Sequence, residues 1–273
     1  MSEPALLKEQ QDHVLILRLN RPEKKNALSG ELTSLIVEAV EQATKDDSVR
    51  VIGISGNGDT FCAGADLSRP KNSRQSDSAA NTVERVVRLV TGIRIDCEKP
   101  VVCGVNGLAI GAGLSLAMCC DMRIASDKAT FHPGYARVGT SPDCGLTWTL
   151  PQALGHEQAM RFLLEIEFVR ATRALEIGLV GEVVADAQFT WFFEDYCHRI
   201  AAIAPLAAQQ TKKQVARIGL PDNLEQLVRD ELRYTGRGLA SDDGKEAVAI
   251  VGEGGHVAIV LAHVDDASPC VQR

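Results

Sequence analysis

The segment Phe131-His132-Pro133-Gly134-Tyr135-Ala136-Arg137-Val138-Gly139-Thr140-Ser141-Pro142-Asp143-Cys144-Gly145 places one acidic residue, Asp143, in a Gly/Pro loop beside apolar sequence. No second carboxylate accompanies it there. Two earlier segments have the composition of backbone anion sites. In Phe61-Cys62-Ala63-Gly64-Ala65-Asp66-Leu67, small residues after a predicted strand let a ligand lie against backbone N–H groups. In Asn106-Gly107-Leu108-Ala109-Ile110-Gly111-Ala112-Gly113-Leu114-Ser115, the Gly111-Ala112-Gly113 run opens a helix, where free N–H groups and the dipole favour an oxygen anion. Two such donors from separate loops would clamp one carbonyl oxygen and stabilise an enolate. With a single carboxylate, this set suits proton shuttling or nucleophilic attack at an activated acyl group. It suits two-carboxylate addition of water poorly. Either small-residue segment alone reads as ordinary close packing; their pairing in this order carries the chemistry.

These residues must be positioned by alternating strands and helices. Val14–Leu19 reads as a strand stopped by Asn20-Arg21-Pro22. Ser29 is an expected N-cap, and Leu32, Leu35, Ile36, Ala39, Val40 and Ala43 follow at helical spacing. Residues 49–55 form a second expected strand, ending at Gly56-Asn57-Gly58. Residues 68–81 are polar without apolar periodicity and read as a mobile surface loop. Val83, Val86, Val87 and Val90 mark another helix, and Pro100 closes that region. Strands are expected over Val101–Val105 and residues 122–125, with a small-residue helix from 112 to 120 between them. The alternation indicates an α/β fold with parallel pairings. From about residue 190 the pattern is helical, over 191–204, 207–218 and 224–239. Two regions are expected: a core over 1–200 that carries the site, and a helical part over 201–273. Val251-Gly252-Glu253-Gly254-Gly255 is expected to interrupt the last helix.

At 273 residues, 45% hydrophobic and 24% charged, the chain has ordinary globular composition. A net charge of -7 argues against nucleic acid as a partner, and 4% aromatics against a base-stacking platform. The eight cysteines sit mostly in apolar runs and read as buried free thiols. No CxxC pair has zinc spacing, so no metal is expected. No apolar signal core, presequence or membrane-length run is present, so a cytoplasmic protein without membrane contact is expected.

The chain resembles the crotonase family, also called the enoyl-CoA hydratase/isomerase superfamily. The matching residues are Asn20-Arg21-Pro22 with Asn26-Ala27-Leu28, then Phe61-Cys62-Ala63-Gly64-Ala65-Asp66-Leu67. Lys99-Pro100-Val101-Val102, Asn106-Gly107 with Gly111-Ala112-Gly113, and Cys120-Asp121 follow. Gly155, residues 174–178 with Leu179-Val180, and Leu239-Ala240-Ser241-Asp242-Asp243 complete the match, over about residues 5–250. The resemblance implies a crotonase-like superhelical core of ββα turns and a helical C-terminal part that assembles a homotrimer or homohexamer. It implies an acyl-CoA thioester substrate, coenzyme A entering as part of that substrate and no separate cofactor. By family position, the oxyanion donors are the N–H groups of Ala63 and Ala112. Substrate contacts are implied at Lys25, Ala27, Cys62, Gly64, Ala65, Asp66, Leu67, Gly111, Ser115 and Tyr135.

The departures from the family pattern matter equally. Family hydratases carry two glutamates at positions held here by Ser115 and Tyr135. Asp143 instead resembles the acidic residue of the family's double-bond isomerases. The dehalogenase branch also has an aspartate there, but with a tryptophan and a histidine at the positions of Tyr135 and Gly92. The expected activity is therefore an enoyl-CoA isomerase, with Asp143 moving the proton and Ala63 and Ala112 holding the enolate oxygen. A hydratase, hydrolase or lyase with Asp143 activating water or attacking substrate is the second reading. A catalytically silent acyl-CoA-binding subunit is the third. At single residues, Asp143 and Asp66 are alternatively helix caps, His132 a packed residue, and Lys25 a solvated side chain. Ser115 has no assignable histidine partner, which argues against a serine-hydrolase triad.

Overall fold

The computed structural model describes residues 3–66 and 79–254. Two sheets form the core. Strands β1 (Leu6–Gln11) and β2 (Val14–Leu19) make an antiparallel hairpin, and helix α1 (Gly30–Lys45) follows. The Ser29 hydroxyl accepts from Leu32 N at 3.1 Å, the cap expected there and worth about 1 kcal/mol. Leu32, Ile36, Val37, Val40 and Ala43 on α1 are buried, as their spacing requires. Then strands come in consecutive pairs: β3 (Val51–Gly56) and β4 (Thr60–Cys62), and, after helix α2 (Ala79–Thr91), β5 (Val101–Val105) and β6 (Leu108–Ile110). Helix α3 (Ala112–Cys119) precedes β7 (Met122–Ser126) and β8 (Thr130–His132). The first strand of each pair joins a six-stranded sheet of order β1-β2-β3-β5-β7-β10; the second joins a four-stranded sheet of order β4-β6-β8-β9. This repetition is the superhelical ββα core.

Next come α4 (Leu146–Leu154), α5 (His156–Glu165), β9 (Val169–Arg170), α6 (Ala171–Glu176) and β10 (Glu182–Val184). The described chain then closes with α7 (Phe189–Ala201), α8 (Pro205–Val215), α9 (Leu224–Ala240) and α10 (Asp242–Gly254). The parallel strands β3 and β5 are buried along their whole length, which explains their continuous apolar sequence. One face of the large sheet packs on α7 through Ile16, Val51, Val102, Phe193 and Cys197. The other face packs on α1, α3 and the second sheet. Helix α8 docks through buried Lys212, whose Nζ donates to Ile93 O at 2.8 Å and Lys99 O at 2.9 Å and pairs with Asp121 at 2.9 Å.

Several expectations change. Residues 79–81 begin α2 rather than ending a loop; residues 67–78 lie outside the described residues, Leu67 among them. Helix α10 runs unbroken to Gly254, so Gly252 does not end it. A single glycine weakens a helix by only about 1 kcal/mol, which neighbouring turns can absorb. Strands β4, β6, β8, β9 and β10 were not expected; at two or three residues each, they are too short to show a period. The seven described cysteines are free and buried, as expected.

Candidate active site

Three parallel strands of the small sheet each deliver one candidate segment from their carboxyl ends. Strand β4 runs into Ala63–Gly64–Ala65–Asp66, β6 into Gly111 and α3, and β8 into the loop that carries Tyr135 and Asp143. Carboxyl ends of parallel strands are where open α/β sheets place ligands.

The first two segments meet. Gly64 has φ +102°, a conformation that glycine alone adopts without strain. A Cβ there would lie 3.0 Å from Ile110 O and 3.7 Å from Ala112 N, so the β4 loop rests on the start of α3. The donor expected at Ala63 is corrected. Its N–H is spent on Lys25 O at 3.0 Å and is not available to a substrate. Two residues on, Ala65 forms a parallel bridge with Leu28 in which Leu28 N donates to Gly64 O and Asp66 N donates to Leu28 O. That pattern turns the Ala65 N–H away from the bridge, and it has no acceptor among the described residues. Ala112 is the first residue of α3, where an N–H lacks an intrahelical acceptor. The available pair is thus Ala65 and Ala112. The alternation of a bridge inside a loop is what sequence reasoning could not register.

Asp143 is buried in the third segment. Its Oδ1 accepts from the Tyr135 hydroxyl at 2.7 Å, and the Ser115 Oγ lies 2.7 Å from the same phenol oxygen. With the phenol proton committed to Asp143, Ser115 is the donor, shared with Gly111 O at 3.2 Å. One chain of hydrogen bonds therefore runs from the carboxylate to the peptide that carries the Ala112 N–H. Burial raises the Asp143 carboxyl above its ordinary value, against the bonds from Tyr135 and the Cys144 thiol, which favour ionisation. Burial and then the Asp143 charge push the Tyr135 phenol well up, so it remains a donor. Asp143 does not cap the helix that follows: α4 has no side-chain cap from its own flank.

Other expected contacts are engaged within the protein. Lys25 Nζ pairs with Asp59 at 2.9 Å. Arg21 pairs with Asp66 at 2.8 Å and donates to Ala27 O at 2.6 Å, which ties the Ala27 and Asp66 backbones together. Cys62 is fully buried and its thiol is pushed up to about 12 by burial; it packs against Gly113 in α3, where an added Cβ would meet its Sγ at 2.8 Å. His132 is buried, packs at a 38° tilt against Phe168 with 4.4 Å between ring centroids, and is pushed down to about 4 by burial and by Arg137. It is a packed neutral ring. Among the described residues, no group of three or more His, Cys, Asp and Glu side chains could hold a metal. None of the described helices is long and apolar enough to cross a membrane.

Sequence reasoning missed Glu231. It is buried on α9, and its carboxylate accepts from Gly145 N at 2.6 Å, from Thr147 N at 3.0 Å and from the Thr147 hydroxyl. Burial pushes it up to about 7 despite those bonds. The available signal was an acid on the stripe Leu224, Val228, Glu231, Thr235 of an amphipathic helix, where burial is expected.

The family model for enoyl-CoA hydratase/isomerase matches residues 9–253. A 1,2-epoxyphenylacetyl-CoA isomerase of Escherichia coli (strain K12) is 33% identical over 244 residues, covering 86% of this chain and 90% of the relative. A crotonyl-CoA hydratase of Syntrophomonas wolfei is 31% identical over 251 residues, covering 91% of this chain and 95% of the relative. Among solved structures, an enoyl-CoA hydratase/isomerase from Pseudoalteromonas atlantica T6c superposes with a TM-score of 0.80 at 32% identity, covering 92% of this chain and 97% of that one.

Proposed function

This chain belongs to the enoyl-CoA hydratase/isomerase family and is an acyl-CoA-converting enzyme of it, and from that premise we propose that it shifts a carbon–carbon double bond in an enoyl-CoA. Asp143 takes a proton from the carbon next to the thioester carbonyl. The Ala65 and Ala112 N–H groups hold the resulting enolate oxygen. Asp143 then delivers a proton to the γ carbon. One proton is removed and one is delivered, the proton held on Asp143 exchanging with solvent between the two steps; no water is consumed, and one base serves both. The raised Asp143 carboxyl moves toward working pH, which favours both directions of transfer.

The observation that supports this reading is the chain Ser115–Tyr135–Asp143. The two positions where family hydratases carry glutamates hold hydroxyls, and both hydroxyls lead to the single carboxylate. The second buried carboxylate nearby, Glu231, has both oxygens occupied by α4. Among the described residues, Asp143 and Glu231 therefore do not form a free pair of carboxylates to direct water.

The test is turnover of a 3-enoyl-CoA in isotopically labelled water. The expected product is the 2-enoyl isomer with no solvent oxygen in it. Exchange of α-protons with deuterated solvent should occur and should vanish in Asp143→Asn. Incorporated oxygen would overturn the isomerase reading in favour of a hydratase or hydrolase. Assembly as a homotrimer or homohexamer belongs to the same proposal. Exposed Ile203, Leu206, Val215 and Ile218 in and beside α8 are apolar surface for such an assembly to cover. A monomer in sedimentation at micromolar concentration would overturn it.

A further inference from the structure

We propose that helix α9 sets the reacting position of Asp143, with Glu231 as the positioning residue. The inference rests on the reading of Asp143 as the catalytic carboxylate. Three residues of α9 at i, i+4 and i+7, Glu231, Thr235 and Gly238, lie on one stripe of the helix. All three meet the loop between β8 and α4. Glu231 takes the Gly145 and Thr147 N–H groups. Thr235 Oγ1 donates to Ser141 O at 3.0 Å. Gly238 lies against the loop backbone so closely that a Cβ there would sit 2.2 Å from Gly139 O. Contacts at 139, 141, 145 and 147 bracket Asp143 on both sides.

The loop needs such a hold. Cys144 and Gly145 are consecutive left-handed residues, φ +55° and +76°, and for cysteine that conformation is strained. They connect Asp143 to α4, so their angles aim its side chain. Helix α4 has Gly145 at its N-cap and no local side chain to satisfy its first N–H groups. The cap arrives instead from Glu231, 86 residues along the chain from Gly145. A local Asn or Ser would have capped the helix without burying a charge, which is costly. What the distant carboxylate adds is a fixed relation between α9 and the strained residues beside Asp143. Glu231 is not a catalytic residue, because both its oxygens are occupied.

Groups that face Glu231 electrostatically are Asp143 and Cys144 in the loop and Cys119 on α3. Asp143 raises it, while the bonds from Thr147 and Gly145 lower it.

The test uses the full chain with Glu231→Ala, Glu231→Gln and Thr235→Val, beside Asp143→Asn. In Glu231→Ala, kcat should fall about 100-fold, the size of effect a misplaced catalytic group produces. Affinity for a saturated acyl-CoA should change little, since no substrate contact is lost. Amide hydrogen exchange at Gly145 and Thr147 should accelerate. Glu231→Gln keeps one acceptor oxygen, so it should recover part of kcat and part of the exchange protection at Gly145 and Thr147. Should Glu231→Ala fail to fold, Glu231→Gln and Thr235→Val carry the test by the same readouts. Folded Glu231 variants with wild-type kcat, beside an inactive Asp143→Asn, would overturn the brace and leave the proposed function standing. An active Asp143→Asn would overturn the proposed function; unchanged exchange at Gly145 and Thr147 in the Glu231 variants would then separately reject the brace.

Discussion

The loop that carries Ala65 and the loop that carries Asp143 both leave the carboxyl ends of short strands in the four-stranded sheet, yet they are held by different means. The Ala65 loop is pinned by near neighbours. Leu28 bridges it, Lys25 O takes the Ala63 N–H, and Arg21 ties Asp66 to Ala27. These contacts are backbone bonds and one ion pair from a segment about forty residues earlier. The Asp143 loop is held by side chains from far away: Ser115 on α3 reaches it through Tyr135, and Glu231 and Thr235 reach it from α9. A site that only binds an oxygen can be made of backbone, because every residue carries the same N–H. A site that moves a proton needs one side chain at one angle, and that requires side-chain supports.

The largest expected effect separates chemistry from support. Asp143→Asn keeps shape and removes the base, so isomerisation should fall about 10²–10⁴-fold while acyl-CoA still binds, as measured by steady-state turnover and calorimetric titration. Next comes the backbone wall. Ala65→Pro deletes the available donor and should cost about 2.7–4 kcal/mol in kcat, whereas Ala63→Pro deletes the bond to Lys25 O and should chiefly lower the melting temperature. Reversal of those two results would restore Ala63 as the donor. Tyr135→Phe removes a hydrogen bond to a charged group, with an expected cost of about 1.5–3 kcal/mol. That bond favours ionised Asp143, so its loss should move the acidic limb of the kcat–pH profile to higher pH.

A fourth outcome concerns stability and has an unusual sign. Glu231 moves from an ordinary 4.5 to about 7 in the folded protein. The folded state therefore binds a proton that the unfolded state has already lost, and stability should fall as pH rises through about 4.5 to 7. Asp143, also raised, adds in the same direction at the lower end. Denaturant melts across that window should show a shallower slope in Glu231→Gln. The smallest effect lies at the edge of the first wall: Lys25→Met removes a half-exposed pair with Asp59 and should change stability by less than about 1 kcal/mol.

The sequence made some of this legible because periodicity and punctuation are local. The strand Val14–Leu19, the capped helix from Ser29 and the buried strand Val101–Val105 were readable from side-chain pattern alone. Asp143 could be singled out because it is the one acid in a Gly/Pro loop. The choice between Ala63 and Ala65 was not readable, since both are alanines in one small-residue run and only the pairing with Leu28 distinguishes their N–H directions.

By itself, then, the sequence determined the alternation of strand and helix, the small residues that let two loops approach each other, and the replacement of two family glutamates by Ser115 and Tyr135. Tertiary structure decided what those replacements do. Ser115 and Tyr135 are 20 residues apart, and Tyr135 and Asp143 are 8 apart with a turn between them. Glu231 reaches the same loop from α9. Hydrogen bonds over such separations depend on the docking of α3, α4 and α9 against one another, which no local pattern encodes. The side chains hold one acid at one angle because three helices converge there.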